Sequence, residues 1–348
     1  MAAVEPLLVD GSVLEGGGQI LRNTVAFAVL LSRPVSIHNI RHNRRKPGLK
    51  AQHAAGLRLV AKICSGHLSG CDIGSSAIEF RPGPIGLFAV LDIYVRSTLG
   101  DRLTYPTDFA RWNECTPGTT NRHAARVFLP FIQRRFGLTP DLRILKRGFV
   151  PKGGGEVIVS VTPQCDPLPS VVVTDRGSVT SIGGRAYVAG LPAHLATSMR
   201  DGAATILSRA GMDPGLVNIT AVREKPEEAI GSGSGIVLWA ETSGGCVLGG
   251  SAIGAKGKDP EKVGAEAAEE LIRNLGHGGC VDEYLQDQMI IFLALAKGRS
   301  LIKAGPLTLH TKSAIWVAEQ LTGAKFLITE LEGQTWIECN GIGYTALV

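Results

Sequence analysis

The feature of this chain that most constrains its fold is a repeated pairing of an amphipathic helix with a short β-branched strand. In each copy, apolar residues recur at helical spacing and then alternate, after a short basic or glycine-containing link. The copies lie at residues 19–40, 50–81, 282–303 and 313–329. Repeated αβ units bury the apolar faces of their helices against a sheet, so the pattern predicts a layered α/β (α+β) fold.

The stretch from about 183 to 277 follows a different pattern. It offers strand-like and helical runs of its own, with glycine- and serine-rich turns at its edges: strands at 185–189, 217–222 and twice within 234–254, helices at 194–210 and 260–275. We interpret 184–276 as a smaller α/β domain. It is inserted into a repeat domain made of 1–183 and 277–348, because the earlier pattern resumes at Asp282.

Composition excludes several classes of protein. A hydrophobic share of 44% over 348 residues excludes a chain that is disordered as a whole. The seven cysteines include no CxxC pair, which argues against a structural zinc site. Their odd number fits a reducing compartment. We see neither a secretory leader nor an apolar run of bilayer length, so we expect no membrane partner. The net charge of +5 tolerates a polyanion without requiring one.

Two runs of three glycines, in EGGGQILR (15–22) and RGFVPKGGGEV (147–157), suggest close backbone approach. The first leads directly into a helix, where backbone N–H groups and Arg22 would make an anion site, and the Glu15 carboxylate could hold a divalent metal. The alternative, in which the segment binds no ligand, is a solvated glycine turn. Two such sites together suggest a phosphate-rich ligand.

A basic run at 41–53 places five cations within ten residues before a helix. Such a run fits contacts to phosphates or an RNA end as well as it fits a solvated loop.

His310 lies between a strand-like run and a helix predicted from 313, where a side chain can point into a cleft. A neutral imidazole there could act as a nucleophile or base, although a lone histidine is more often a surface or core residue. Tyr284, Asp287 and Gln288 share one face of a helix, because they are spaced i, i+3 and i+4. This polar break in an apolar helix suggests the lining of a polar site.

Five motifs together, EGGGQILR, KPGLKAQH, RGFVPKGGGEV, VDEYLQDQ and GPLTLHT, resemble the RNA 3′-terminal phosphate cyclase family, most closely its animal members. The resemblance implies three αβ repeats, as in enolpyruvyl transferases and the C-terminal domain of a translation initiation factor, interrupted by an inserted domain. It implies that ATP and an RNA 3′-phosphate end give a 2′,3′-cyclic phosphate, AMP and pyrophosphate. It also implies an RNA-processing role in the nucleus, with the cytoplasm as a further location.

The resemblance also implies roles for individual residues. His310 would attack the α-phosphorus of ATP and pass AMP to the RNA phosphate, which the 2′-OH then attacks. Glu15 would be the ligand of a divalent metal, Mg²⁺ or Mn²⁺. The residues implied to contact ATP are Gln19, Tyr284, Asp287 and Gln288. Those implied to contact phosphate or RNA are Arg22, Arg41 and Gln52.

Residues 85–125 depart from the family. Members carry there a glycine-rich stretch and a GGTNA…APQID motif, some of whose positions contact ATP, whereas this chain reads TYPTDFARWNECTPG within an unperiodic segment. Reading the codons of 107–122 one base later permits LTLRGGTNA, two unlike residues, then APQID. Our hypothesis is a frame-shifted translation. A transcript that encodes TYPTDFARWNECTPG in frame would refute it, and such a chain would lose ATP affinity.

Two other functions compete with the cyclase. A non-catalytic cyclase-like protein of ribosome assembly keeps the fold but lacks the nucleophilic histidine, which His310 disfavours, and a catalytically impaired isoform is a variant of this reading. An enolpyruvyl transferase shares the repeat, but its sites have no equivalent of the motif at 147–157 beside a nucleophilic histidine.

Overall fold

The computed structural model describes residues 4–83, 123–149, 152–160, 162, 164, 166–331 and 333–346. Of the atypical segment 85–125, residues 85–122 lie outside the described residues, and the hypothesis of a frame shift stays a prediction.

The first αβ unit forms a four-stranded sheet with two helices. Its strand order is β1-β2-β4-β3, with β1 parallel to β2, and β4 antiparallel to both β2 and β3. The elements, in chain order, are β1 (Leu7–Asp10), α1 (Gly18–Leu30), β2 (Val35–His38), α2 (Ala51–Ile63), β3 (His67–Ser69) and β4 (Ile78–Arg81).

A second unit is described from residue 123. A π-helical turn (Ala124–Phe128) runs into α3 (Leu129–Phe136), and an antiparallel hairpin follows, formed by β5 (Asp141–Gly148) and β6 (Glu156–Ser160). The short β7 (Val172–Val173) then opens the last unit.

The chain next forms a separate sheet of order β12-β11-β8-β9, covered by two long helices that pack together. Its elements are β8 (Val179–Ala189), α4 (His194–Arg209), β9 (Val217–Arg223), β10 (Ala229–Ile230), β11 (Gly233–Thr242), β12 (Val247–Ile253) and α5 (Pro260–Gly276). Most of these bounds lie within two residues of the elements predicted from sequence, but β8 begins at Val179 rather than at 185, and β10 has no predicted counterpart. Strand β10 leaves this sheet and pairs in parallel with β5.

The last unit repeats the topology of the first. β7 pairs in parallel with β13 (Lys297–Ala304), and β15 (Gln334–Ile342) lies antiparallel between β13 and β14 (Lys325–Leu331). Its helices are α6 (Glu283–Leu295) and α7 (Leu309–Thr322). Since β7 precedes β8–α5 and α6 follows it, the extra sheet interrupts this unit between its first strand and first helix. The predicted α/β repeat fold with an inserted α/β module is confirmed, whereas the boundaries 184 and 276 stay predictions.

The core of the repeat domain lies between α1, α6 and α7. Most of α1 and of α6 is buried, and α7 packs against both. Helix α6 begins after Asp282, whose Oδ1 accepts the N–H groups of Tyr284 and Leu285 at 3.1 and 2.7 Å. Helix α7 begins after Thr308, whose hydroxyl accepts the N–H of Thr311 at 3.0 Å. It ends at Gly323, which has a left-handed φ of 76°.

The cysteines and the lengths of the helices can be compared with what the composition predicts. The cysteines that the structure describes in full are unpaired and buried: Cys64, Cys71, Cys246, Cys280 and Cys339. Within the described ranges, the helices are too short or too polar to cross a bilayer.

Candidate active site

Residues near the starts of three helices converge on one site. Glu15 precedes α1, Asp287 and Gln288 lie in the first two turns of α6, and His310 lies in the first turn of α7. The sequence predicted that His310 precedes its helix, but the helix begins at Leu309 instead. The alternation in LTLHT predicts an extended segment. In the structure, Thr308 is the N-cap, so the helix begins within this segment.

Glu15 is the centre of charge in the site. Its Oε1 accepts a hydrogen bond from Arg44 Nη2, and its Oε2 lies 3.2 Å from His310 Nδ1. The Glu15 side chain is 17% exposed and that of His310 is 51% exposed, so the carboxylate is sheltered while the imidazole reaches solvent. A proton on Nδ1 facing this carboxylate leaves the lone pair of His310 on Nε2.

The start of α1 is packed tightly. Arg22 Nη2 donates to Gln19 Oε1 at 2.8 Å, so these two predicted contacts lie together on the first turns of the helix. No side chain caps α1, whose N-cap position is Gly17. A Cβ at Gly18 would lie 2.4 Å from His53 Nε2, so only glycine allows α1 and the buried His53 to approach this closely. The first glycine triplet therefore brings a helix N-terminus next to arginine side chains, as an anion site requires.

Cations surround this helix start. Burial, together with Arg22, Arg41 and Lys50, lowers the pKa of His53 to about 4, so its imidazole is neutral near pH 7. The pKa of Arg41 is lowered by burial and by Arg44. Arg41 also has a left-handed φ of 56°, a conformation that costs a non-glycine residue free energy and is found at functional sites. Gln52 Nε2 lies 3.4 Å from His53 Nε2, which places Gln52 at the edge of this cluster.

Helix α6 adds a carboxyl to this cluster. Burial raises the pKa of Asp287 to about 7, although the nearby charge of Arg22 opposes the rise. Glu15 and Asp282 add to the rise, so Asp287 belongs to the same cluster of charges as the start of α1. Gln288 Oε1 is buried and has no hydrogen-bond partner within the described part of the chain.

The contacts of Tyr284 differ from those of Asp287 and Gln288. Burial and the carboxylates of Glu270, Glu283 and Asp282 raise the pKa of its phenol. Its ring meets that of His123 edge-on, with centroids 5.6 Å apart. Tyr284 therefore lies where α5 of the inserted module meets the start of α6, and its described contacts are not with Glu15 or His310.

The arginine that precedes the second glycine triplet contacts the inserted module, and a phosphate site at the triplet itself stays a prediction. Arg147 is 6% exposed, and its Nε lies 3.2 Å from Glu224 Oε1, on the inserted module. Its guanidinium also stacks 4.4 Å from the ring centroid of Tyr187, and Arg185 Nη2 binds the same carboxylate at 3.1 Å. Phe149 joins Tyr187 in a small apolar cluster. This motif therefore joins the second unit to the insert.

Sequence reasoning missed three contributors to the site. Arg44 and His53 lay inside the basic run but gave no signal of their own, since their partners are Glu15 and Gly18, far away in sequence. Gln286 lies beside the predicted Asp287 and turns out to be buried, with hydrogen bonds to the segment before His310. The sequence signal that could identify Gln286 is a polar residue on the buried face of an otherwise apolar helix.

A divalent metal at this site would need oxygen atoms of a bound substrate in addition to those of the protein. The described residues contain no group of three or more His, Cys, Asp or Glu side chains placed to hold a metal ion. Among the described residues, Glu15 Oε2 is buried and its polar neighbour is His310 Nδ1, so a cation bound by this carboxylate would share the oxygen with the imidazole. Mg²⁺ is commonly held by one or two carboxylates together with substrate phosphates and water. Glu15 fits that coordination.

Comparison with known proteins defines the class. Residues 13–95 match the family model of RNA 3′-terminal phosphate cyclase, and residues 174–276 match the model of the insert domain of that cyclase. The chain is 36% identical to the RNA 3′-terminal phosphate cyclase of Drosophila melanogaster, over 99% of both chains. It is 36% identical to a probable cyclase of Dictyostelium discoideum, over 97% of this chain and 83% of that one. It is 35% identical to the cyclase of Pyrobaculum aerophilum, over 97% and 98%.

The chain belongs to the RNA 3′-terminal phosphate cyclase family. The class of enzyme predicted from the motifs is thereby confirmed.

Proposed function

We propose that this protein uses ATP to convert the 3′-terminal phosphate of an RNA into a 2′,3′-cyclic phosphodiester, through an AMP group carried by His310. The observation that carries the proposal is the position of His310. Its imidazole is half exposed in the first turn of α7, with Nδ1 facing the Glu15 carboxylate. Of the two neutral tautomers, the one with its proton on Nδ1 suits this contact and leaves the free lone pair on Nε2, as a nucleophile needs.

The bond changes follow from this arrangement. Nε2 forms a bond to the α-phosphorus of ATP while the bond to the pyrophosphate oxygen breaks. An oxygen of the RNA 3′-phosphate then takes AMP from His310, which activates a phosphate that has no good leaving group of its own. The neighbouring 2′-OH attacks the activated phosphorus, AMP leaves, and the hydroxyl proton passes to solvent. Each step is an easier displacement than direct loss of oxide.

The basic cluster supplies the charge that these steps need. Arg22, Arg41 and Arg44 lie around the uncapped start of α1, where they can neutralise the phosphates of ATP and of the RNA end. A metal ion held by Glu15 would add further neutralisation when bound. Contacts to phosphate and ribose rather than to bases would make the recognition of RNA ends tolerant of sequence.

The test is transfer of label from ATP to the protein. The full chain is incubated with ATP labelled on the α-phosphate, and a covalent adduct that is labile to acid and stable to alkali is expected. The His310→Ala variant should form none. The matched control is His194→Ala, because His194 is exposed at the start of α4 as His310 is at the start of α7. It should label as the parent does.

Two outcomes would contradict the proposal. One is labelling of the His310→Ala variant at the parent's level, which would move the nucleophile elsewhere. The other is a folded parent protein that forms no adduct and closes no RNA ends, which would favour the non-catalytic alternative.

A further inference from the structure

Gln286 is a buried polar residue of α6 that the proposed mechanism does not use. Its side chain is 2% exposed, whereas those of Asp287 and Gln288 are only partly buried. A primary amide offers two donors and a carbonyl oxygen with two lone pairs. A buried amide costs free energy unless these groups have partners, so the partners of Gln286 show its role.

All four hydrogen bonds of this amide go to the segment that carries His310. Nε2 donates to the carbonyl oxygens of Gly305 and Pro306, both at 3.3 Å. Oε1 accepts from Thr308 N at 3.0 Å and from Thr311 Oγ1 at 2.6 Å. These contacts span residues 305–311, so they fix the turn before α7 and its first helical residues on both sides of His310.

Among the residues that the structure describes, the imidazole of His310 has one polar contact, that with Glu15, and half of the side chain is exposed. The backbone of 305–311 therefore sets where its Nε2 lies. Because Gln286 precedes Asp287 and Gln288 on α6, the same amide ties the position of the imidazole to the helix on which the family resemblance places contacts with ATP.

We infer that Gln286 is a positioning residue, which holds the first turn of α7 so that His310 Nε2 meets the α-phosphorus of ATP. The inference rests on the proposed function of His310. A side chain of the same length without an amide would leave the segment unanchored. A misplacement of a reacting group by about 1 Å costs up to about 100-fold in rate.

The experiment measures the rate of His310 labelling in full-length variants. Gln286→Met removes the four hydrogen bonds. Thr311→Val removes one of them, together with the 2.9 Å contact between the hydroxyls of Thr311 and Thr308, with little change in shape. Thr311→Ser keeps that hydroxyl and should restore the rate. The matched control is Ser313→Ala, because the buried hydroxyl of Ser313 bonds only within α7, to Leu309 O at 2.9 Å.

We expect labelling at saturating ATP to be about 10- to 100-fold slower in Gln286→Met, while the half-saturating ATP concentration changes little. Thr311→Val should be slowed less, and Thr311→Ser and Ser313→Ala should match the parent. Amide hydrogen exchange within 305–311 should become faster in the first two variants. A purely structural role would lower the folded fraction without changing the rate per folded molecule.

The results separate the two claims. Gln286→Met and Thr311→Val proteins that label at the parent's rate, with unchanged exchange in 305–311, would overturn the inference and leave the role of His310 intact. Labelling that persists in His310→Ala would overturn the proposed function, and the inference with it.

Discussion

Asp287 lies on α6 among groups that oppose its ionisation. Burial and the neighbouring Asp282 and Glu15 raise its pKa from 3.8 to about 7, against the influence of Arg22. Between about pH 4 and 7, the unfolded chain releases this proton while the folded protein keeps it. The contribution of Asp287 to the free energy of unfolding therefore falls as the pH rises through this window, and it stays constant above the window.

We predict that the stability of the Asp287→Asn variant relative to the parent increases as the pH rises. A pKa difference of this size corresponds to at most about 4 kcal/mol, and we expect about 1–2 kcal/mol between pH 5 and pH 8, because the side chain keeps some contact with water. Urea unfolding at both pH values measures the difference.

Asp201→Asn is the control, since Asp201 is exposed on α4. It reports the effect of removing an acidic side chain that lies at the surface. An equal change in both variants would show that Asp287 does not titrate as stated.

At the scale of elements, the approach of α1 to α2 depends on one missing methyl group. A Cβ on Gly18 would lie 2.4 Å from Nε2 and 2.9 Å from Cδ2 of His53, which is 5% exposed and cannot swing aside freely. By contrast, a Cβ on Gly56, in the middle of α2, would meet no atom within 4 Å.

These two glycines form a matched pair. Gly18→Ala should destabilise the protein by about 1–3 kcal/mol, the usual cost of overpacking, and should weaken ATP binding because α1 and His53 must separate. Gly56→Ala should stabilise it by about 0.5–1 kcal/mol, since alanine favours a helix interior. Thermal unfolding and ATP titration measure both effects. A Gly18→Ala protein as stable as the Gly56→Ala protein would contradict the packing described here.

The sequence predicted the helices and strands best where periodicity is strong. The helices α1 and α6, and the strands of the insert, were found because apolar spacing reports burial directly. The start of α7 was placed late, because LTLHT alternates like a strand and the capping role of Thr308 is local hydrogen bonding that periodicity does not record.

The candidate site was predicted in residue type but not in pairing. Glu15 and His310 came from motifs, and the structure brings their side chains within 3.2 Å of each other. The partnership of Glu15 with Arg44 depends on a turn in which Arg41 has a positive φ, and a sequence does not reveal that conformation. The sequence does not reveal the pairing of Arg147 with Glu224 either, because the two residues lie 77 positions apart. Nuclear location stays a prediction from the family.

Across the whole molecule, the repeat domain and the insert share buried charges. The side chains of Arg147 and Glu224 are 6% and 4% exposed, and Arg185 binds the same carboxylate. Removing one member of a buried pair costs about 3–5 kcal/mol, because the other charge stays buried.

We predict that Arg147→Met destabilises the protein by about 2–4 kcal/mol, somewhat less than for an isolated pair since Arg185 still binds Glu224. Chemical unfolding measures the loss. The control lies on the same strand, where Arg143 pairs with Asp141 at 2.7 Å and both side chains are more than half exposed. Arg143→Met should change stability by no more than about 0.5 kcal/mol. Similar losses in both variants would argue against a buried link.

Asp282 has a consequence for any attempt to miniaturise this protein. The carboxylate starts α6, contacts His123, and also accepts the N–H of Gly249 from the insert at 2.7 Å. A trimmed version, with a short linker in place of 174–276, would remove Gly249 from Asp282 and Glu224 from Arg147. Both positions would then need redesign before the linker is chosen, with an uncharged cap such as serine at 282 and an apolar side chain at 147.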